Sequence, residues 1–313
     1  MKIVFMGTPD FSVPVLKKLQ ESGHDVTLVV TQPDRPKGRK KELTPPPVKK
    51  AALEMGLPVF QPEKIKDHDI IIRNENPDVI VTAAFGQILP KDILDIPPYG
   101  AINVHASLLP KYRGGAPIHQ AVIDGEKETG ITIMYMAEKL DAGNIILQES
   151  VAIEPEDTTG TMHDKLSVCG AELVTKALES IQNGTAPSIE QVEEEATFAR
   201  NITKEMERLD WRKDAESVYN QIRGLSPWPG AYTELEGKRI KIWSAVLTGE
   251  TSNKDAGTLI HHDGRLLAVC GDHRLIELTE MQPSGRKRMH ASAFAAGSPD
   301  TDGKVFTNET DES

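Results

Sequence analysis

Only two cysteines occur in 313 residues, Cys169 and Cys270, so no disulfide framework staples this fold. A reducing, cytoplasmic setting is the simple expectation, with both thiols acting as small buried hydrophobes. No apolar run approaches the roughly 18 residues that a membrane-spanning helix requires, so no membrane partner is expected. The opening Met1-Lys2-Ile3-Val4-Phe5-Met6-Gly7 is too short a run for a signal peptide. It meets Pro9 and Asp10 at once and reads as a first strand. The G-x-G-x-x-G fingerprint is missing after that strand. In Gly7-Thr8-Pro9-Asp10 a proline replaces the close-approach glycine, which argues against a dinucleotide cofactor. Metal-ligand pairs at zinc spacing are also missing. His261, His262, Asp263 and His273 cluster around a predicted hairpin turn with no second pair, so no metal is expected.

What is present is an ordinary globular composition, 38% apolar and 27% charged. The length suggests two domains. The net charge of −11 argues against nonspecific nucleic-acid binding, yet the charge is uneven. Arg35, Lys37, Arg39, Lys40, Lys41, Lys49 and Lys50 lie within one short stretch against the single acid Glu42. From Glu207 to His290 the chain is nearly neutral, with 13 Lys/Arg against 12 Asp/Glu, and all three tryptophans (Trp211, Trp228 and Trp243) fall there.

In the first half, near-continuous Val- and Ile-rich runs at 2–6, 25–31, 78–83 and 100–104 alternate with helical patterns at 11–21, 48–55 and 115–123. That alternation predicts an α/β fold, a Rossmann-like and mostly parallel sheet with helices on both faces. Two further strands, 129–136 and 145–153, flank the turn Asp141-Ala142-Gly143-Asn144, and Met134 and Met136 read as core. A long helix is expected over 158–182, capped by Thr158 and stopped by Asn183-Gly184. The polar stretch with Glu193-Glu194-Glu195 reads as a linker. After Trp211 come a short helix at 214–223, Pro227-Trp228-Pro229-Gly230, and short strands at 232–235, 240–247, 257–261, 266–270 and 275–278. Their regular spacing suggests a small C-terminal β-barrel of OB type. The expected boundaries are a catalytic domain at 1–188, a linker at 189–206 and a β-barrel domain at 207–313. The acidic end from 297 is expected to fray.

The strongest chemical signal is Asn103-Val104-His105, followed 36 positions after the histidine by Asp141 in Leu140-Asp141-Ala142-Gly143. An amide can hold a developing oxyanion, an imidazole can manage a proton, and a carboxylate can orient the imidazole. Taken singly, His105 could be a satisfied core histidine and Asp141 a turn aspartate. Two features raise the chemical reading: alternation along a strand puts Asn103 and His105 on one face, at the carboxyl end where open α/β sheets place their ligands. A turn-rich stretch follows, Ser107-Leu108-Leu109-Pro110 and then Tyr112-Arg113-Gly114-Gly115-Ala116-Pro117-Ile118, with little reason to exist as plain core. The basic segment from Thr31 to Lys41 could be solvated surface, but its length favours a function, with phosphate contact the obvious use.

These residues resemble the methionyl-tRNA formyltransferase family over nearly the whole chain. The matching motifs are Gly7-Thr8-Pro9-Asp10-Phe11, Thr31-Gln32-Pro33-Asp34-Arg35-Pro36, Asn103 through Pro110, Tyr112-Arg113-Gly114, Leu140-Asp141-Ala142-Gly143 and Pro227-Trp228-Pro229. The Asn…His…Asp set is common to enzymes that formylate an amine from 10-formyltetrahydrofolate, so it specifies the chemistry and leaves the acceptor open. The resemblance implies transfer to the α-amine of methionyl initiator tRNA by a monomeric enzyme. Asn103 would stabilise the oxyanion, and His105 would polarise the same centre or pass a proton. Asp141 would either hold His105 in the right state or collect the amine's proton through water. Ser107, Leu108, Leu109 and Pro110 resemble the folate-binding turn, with the backbone around residues 80–89, including Phe85 and Gly86, framing the pterin pocket. Arg39 matches a loop arginine used against the tRNA acceptor arm, joined by Arg35, Lys37, Lys40 and Lys41. Lys238-Arg239 and Arg286-Lys287-Arg288 are candidates for phosphate contacts in the β domain. The chain departs from the family pattern after Ala293. Two rival readings remain: a formyltransferase for an amino-sugar nucleotide or glycinamide acceptor, and a tRNA- or folate-binding regulator without turnover.

Overall fold

Val- and Ile-rich runs become strands here because branched side chains pack well on a pleated surface covered from both sides. In the computed structural model, which describes residues 1–38 and 41–308, the first of these are β1 (Lys2–Gly7) and β2 (Asp25–Val30). The basic segment folds as a hairpin, β3 (Arg35–Lys37) and β4 (Glu42–Thr44), with Arg35 opposite Thr44 and Lys37 opposite Glu42. The strands β5 (Val59–Phe60), β6 (Val79–Ala83), β7 (Ala101–His105), β8 (Glu128–Tyr135) and β9 (Ile145–Ala152) follow. The main sheet has the order β5-β2-β1-β6-β7-β8-β9. Pairing is parallel from β5 to β7, and β8 runs antiparallel to β7. The expected mostly parallel sheet is therefore present.

The helices of this half are α1 (Ser12–Glu21), α2 (Pro47–Glu54), α3 (Asp69–Glu75), α4 (Lys91–Leu94), α5 (Pro117–Ile123) and α6 (Thr159–Gln182). Both faces of the sheet are covered. On one, Ile72 of α3 and Ile93 and Leu94 of α4 join Val4, Met6, Ile80 and Ala101 in a single apolar cluster. On the other, Gly170 of α6 sits against Val104 and Ile131 so closely that a Cβ there would lie 2.8 Å from Val104. The predicted cap of α6 is a reciprocal one. Thr158 Oγ1 accepts from the Thr161 amide at 3.2 Å, and Thr161 Oγ1 accepts from the Thr158 amide at 2.9 Å. Gly184, at φ +68, lies just beyond its end.

The chain forms two compact units, and neither is continuous in sequence. The first comprises Met1–Pro117, Thr129–Ala152 and His163–Ala199. The second comprises Ile118–Glu128, Ile153–Met162 and the chain from Arg200 onward. A boundary at 188 with a linker at 189–206 is therefore too simple. Residues 189–199 belong to the first unit, where Ile189 bridges Ile145 and Phe198 bridges Arg113. Glu-rich composition hid this, because the pairing is made by backbone and by a few buried side chains.

In the second unit, α7 (Ala215–Gly224) is capped by Asp214, whose carboxylate accepts from the Ser217 amide at 2.9 Å. The strands β10 (Ala231–Leu235), β11 (Lys238–Thr251), β12 (Leu259–His262), β13 (Arg265–Val269), β14 (Arg274–Pro283) and β15 (Met289–His290) follow, then α8 (Ala291–Gly297). The sheet is antiparallel in the order β10-β11-β14-β13-β12, with β15 on β14. It is OB-like and open as a ladder: single bridges from residues 305 and 307 reach Thr258, just before β12, and Glu234 of β10.

The expected fraying from 297 does not hold through 308. Phe306 is fully buried, stacked on Trp211 with ring centroids 5.0 Å apart, and Asn308 Oδ1 accepts from the Trp211 amide at 3.0 Å. Trp211 Nε1 in turn donates to Thr233 at 2.9 Å. Residues 309–313 lie outside the described residues. No helix among the described residues is long and apolar enough to cross a membrane. Phe306→Ala should destabilise the protein by about 3–5 kcal/mol in urea unfolding, the usual loss for a buried aromatic. Stability equal to the parent would return this segment to a frayed tail.

Candidate functional site

The alternation of β7 decides where its side chains go. Ala101 joins the apolar cluster under α3 and α4, so Asn103 and His105 continue the same face toward the strand's carboxyl end. Opposite Asn103 in the parallel register is Thr82 of β6. The Thr82 hydroxyl lies 2.7 Å from Asn103 Oδ1 as donor, and Thr82 is buried. With Oδ1 occupied, the Asn103 Nδ2 group is left as the donor available to a ligand oxygen.

His105 is 6% exposed and has a neighbour at each nitrogen. Its Nε2 lies 3.0 Å from the Tyr112 carbonyl. A carbonyl only accepts, so Nε2 carries a hydrogen and the neutral ring presents a bare Nδ1. Nδ1 faces Asp141 Oδ2 at 3.8 Å, within ion-pair range and beyond hydrogen-bonding distance. A proton arriving at Nδ1 therefore lands beside a carboxylate. The same Oδ2 accepts from the Gly114 amide at 2.8 Å. The three residues expected to act together are thus brought together, each with a fixed neighbour.

The Asp141 turn is tightly built. Asp141 has φ +50, a left-handed conformation uncommon outside glycine that aspartate tolerates better than most residues. Gly143 has no alternative, since a Cβ there would lie 1.7 Å from the Tyr135 carbonyl oxygen. Gln191 donates from Nε2 to the carbonyls of Asp141 and Gly143, both at 2.8 Å. Its Oε1 accepts from Arg113 Nε at 3.1 Å and Nη2 at 2.8 Å. Arg113 is fully buried, and its Nη1 pairs with Glu193 at 2.9 Å. Hydrogen bonds from Lys139 and Arg113 hold the Glu193 carboxyl below the usual range.

The remaining expected residues fall less simply. Ser107 is fully buried, with its hydroxyl donating to the Lys111 carbonyl at 2.6 Å. Leu109 is buried, and its amide donates to Thr132 Oγ1 at 3.1 Å. Thr132 also donates to the Ser107 carbonyl at 2.6 Å, while Leu108 packs against Gly130. The turn of Ser107, Leu108, Leu109 and Pro110 is a rigid structural element rather than a row of free polar side chains. Phe85 is buried in the core, and its carbonyl accepts from Thr8 at 2.9 Å and Gln32 at 3.3 Å. Gly86, at φ +86, supplies the bend beside it.

In the basic hairpin, Arg35 pairs with Glu63 at 2.8 Å and Lys49 with Asp34 at 2.8 Å, so those charges are answered internally. Hydrogen bonds from Gln61 and then Lys49 keep the Asp34 carboxyl below its ordinary value. Lys37 and Lys41 are exposed and have no ion pair among the described residues. Arg39 and Lys40 lie outside the described residues.

On the β11 sheet, Arg239 stacks over Tyr232 at 3.8 Å, and Lys241 and Arg288 approach the Trp243 ring at 5.1 and 5.2 Å. Arg288 also pairs with Glu280. Burial pushes the Cys169 thiol up to about 11 and the Cys270 thiol up to about 12, so neither is a nucleophile near neutral pH. Cys169 is only partly buried, unlike the expectation for it. Sequence reading passed over Thr82, Thr132 and Gln191. Their roles come from strand register and from a distant segment, and neither leaves a local spacing signal.

Comparison with known proteins identifies the family. The family described as "Formyl transferase" matches residues 1–178, and "Formyl transferase, C-terminal domain" matches 201–299. The chain is 57% identical over 300 residues to the methionyl-tRNA formyltransferase of Halalkalibacterium halodurans, covering 95% of each chain. It is 55% identical to that of Bacillus subtilis, covering 95% of this chain and 94% of the relative. Among solved structures, an N-formyltransferase from Helicobacter canadensis, in complex with folinic acid and dTDP-3-aminofucose, shares the fold at TM-score 0.66. Its identity is 19%, and the match covers 90% of this chain and 99% of that one. HypX from Aquifex aeolicus, in complex with tetrahydrofolic acid, matches at TM-score 0.65 and 18% identity. That match covers 94% of this chain, which spans about half (47%) of HypX.

Thr82→Val keeps the shape of β6 and removes the hydrogen bond that orients the Asn103 amide. The expected result is a kcat for amine acylation lower by about tenfold, the effect of roughly one hydrogen bond's worth of orientation, with thermal stability close to the parent. Unchanged kcat would mean that something other than Thr82 holds the amide.

Proposed function

The chain belongs to the methionyl-tRNA formyltransferase family, and on that premise we propose that it transfers the formyl group of 10-formyltetrahydrofolate to the α-amine of methionyl initiator tRNA. The observation that carries the chemistry is the meeting of Asn103, His105 and Asp141 at the end of β7, with a donor and a proton acceptor both available. The amine nitrogen bonds to the formyl carbon as the bond from that carbon to the folate nitrogen breaks. The amine gives up one proton and the folate nitrogen takes one. Asn103 Nδ2 donates to the formyl oxygen, where negative charge gathers, and a donor so placed is typically worth about 2.7–4 kcal/mol. His105 Nδ1 takes the amine proton, because Nε2 already carries the hydrogen held by Tyr112. Asp141 stabilises the imidazolium that results and keeps the ring in place.

The donor set fits a formyl-bearing folate: Asn103 offers an unpaired amide group, and the turns around Gly86 and at Leu108 and Pro110 lie at strand ends, where such sheets bind ligands. A folate site in a formyl transferase is further supported by the tetrahydrofolic acid complex of HypX. Lys37 and Lys41 of the hairpin, with Arg39 and Lys40 from the sequence, supply cations for the tRNA acceptor arm. Lys238, Arg239, Lys241 and Arg288 supply a second cationic surface with aromatic neighbours. High identity to relatives named for methionyl-tRNA favours this acceptor over amino sugars, since the sugar N-formyltransferases share only the fold. The same reading places a monomeric enzyme in the cytoplasm, where initiator tRNA is charged.

The test is incubation with 10-formyltetrahydrofolate and, in turn, charged initiator tRNA, an amino-sugar nucleotide and glycinamide ribonucleotide. Formylation of the tRNA is expected to depend on Asp141, with Asp141→Asn losing transfer while folding and tRNA affinity stay near the parent's. Formylation of a small acceptor but not of the tRNA would overturn the proposal. Arg39→Ala or Lys41→Ala should each lower the salt dependence of tRNA binding by about one phosphate contact without altering folate affinity. Equal effects on both ligands would remove the hairpin from the tRNA surface.

A further inference from the structure

We propose that Gln191, in the segment whose composition reads as a linker, is the positioning residue for Asp141. The proposal rests on the reading of Asp141 as catalytic. Asp141 sits in a left-handed turn, and the groups that hydrogen-bond to that turn can be named. Gln191 Nε2 spans the turn by donating to the carbonyls of Asp141 and Gly143, which fixes the backbone on both sides of Ala142. Its Oε1 receives two hydrogens from Arg113. All four hydrogen-bonding positions of the amide are therefore used. That leaves a single orientation: exchanging its oxygen and nitrogen would set an acceptor against two carbonyls and donors against a guanidinium. The residue is 8% exposed, so water is a poor substitute.

Arg113 is itself fixed. Its backbone exchanges hydrogen bonds with the 197–199 segment, at 2.9 Å to the Thr197 carbonyl and 2.8 Å from the Ala199 amide. The amide of its neighbour Gly114 holds the Asp141 carboxylate. Asp141 is thus referenced to Arg113 twice, through its backbone by way of Gln191 and through its side chain by way of Gly114. The space around that carboxylate cannot be reshaped cheaply, because a Cβ at Gly114 would meet the Ala199 carbonyl oxygen at 2.6 Å. A residue that only filled a buried corner would not need its two donors aimed at the carbonyls that flank the catalytic turn.

Gln191→Glu separates the two sides of the amide. It keeps the acceptors for Arg113 and removes both donors to the turn. The expected result is a kcat lower by about 10- to 100-fold, the scale of an ångström-sized misplacement of a reacting group. KM for both substrates should stay within about threefold, and Tm within about 5 °C of the parent. Gln191→Met, which keeps the length of the side chain, should show the same split with a lower Tm, because Arg113 then loses the oxygen that accepts two of its hydrogen bonds. Parent-like kcat in Gln191→Glu, measured beside an inactive Asp141→Asn, would overturn the positioning role while leaving the catalytic reading intact. Near-normal turnover in Asp141→Asn would instead remove the catalytic reading, and this proposal with it. A fall in kcat matched by raised KM and a large drop in Tm would assign Gln191 to folding alone, as would failure of both variants to yield folded protein.

Discussion

A buried guanidinium must find acceptors, and in this chain that requirement organises the candidate site. Stranding the charge of Arg113 in the interior would cost several kcal/mol, and the fold answers with Gln191 and Glu193 from a distant stretch of sequence. Once that stretch is drawn in, the loop from Tyr112 to Gly114 has a fixed backbone. Its carbonyl at Tyr112 then sets the hydrogen on His105, and its amide at Gly114 sets the carboxylate of Asp141. One satisfied cation thereby fixes the surroundings of two candidate site groups, His105 and Asp141, whose side chains it does not touch.

The second unit solves a different problem. Its sheet is an open ladder with two edges, and exposed edges invite pairing with other chains. Single bridges from 305 and 307 occupy positions at those edges, and Phe306 between them fills the core against Trp211. The acidic composition of the C-terminal stretch concealed this role. Four well-placed groups (Phe306, Asn308 and two backbone bridges) suffice to order it as far as 308, and composition averages over them.

Much of the rest was legible. The order of strands and helices in the first half followed from apolar runs and caps, since those signals are local: Thr158 and Gly184 bracket α6 where the sequence placed its ends. The candidate trio was legible because strand alternation makes Asn103 and His105 neighbours at a fixed spacing. What stayed hidden depended on contacts between segments far apart in sequence. Thr82 faces Asn103 only once β6 and β7 are in register, and Gln191 meets Asp141 only through tertiary packing. What Ser107 does within its turn was hidden for a related reason. A serine in a motif looks available, and only the folded turn shows its hydroxyl committed to Lys111.

The interrupted membership of the two units bears on how the chain is made. Residues 118–128 and 153–162 leave the ribosome early, but the bulk of the unit to which they belong begins at 200. Those two stretches must wait, unpartnered, while the intervening chain is synthesised, and the second unit can close only once the chain beyond 200 has emerged. No single cleavage yields either unit whole, so a fragment ending at 188 would carry two orphaned segments and lack Gln191. The enzyme's two halves are therefore inseparable products of one act of synthesis.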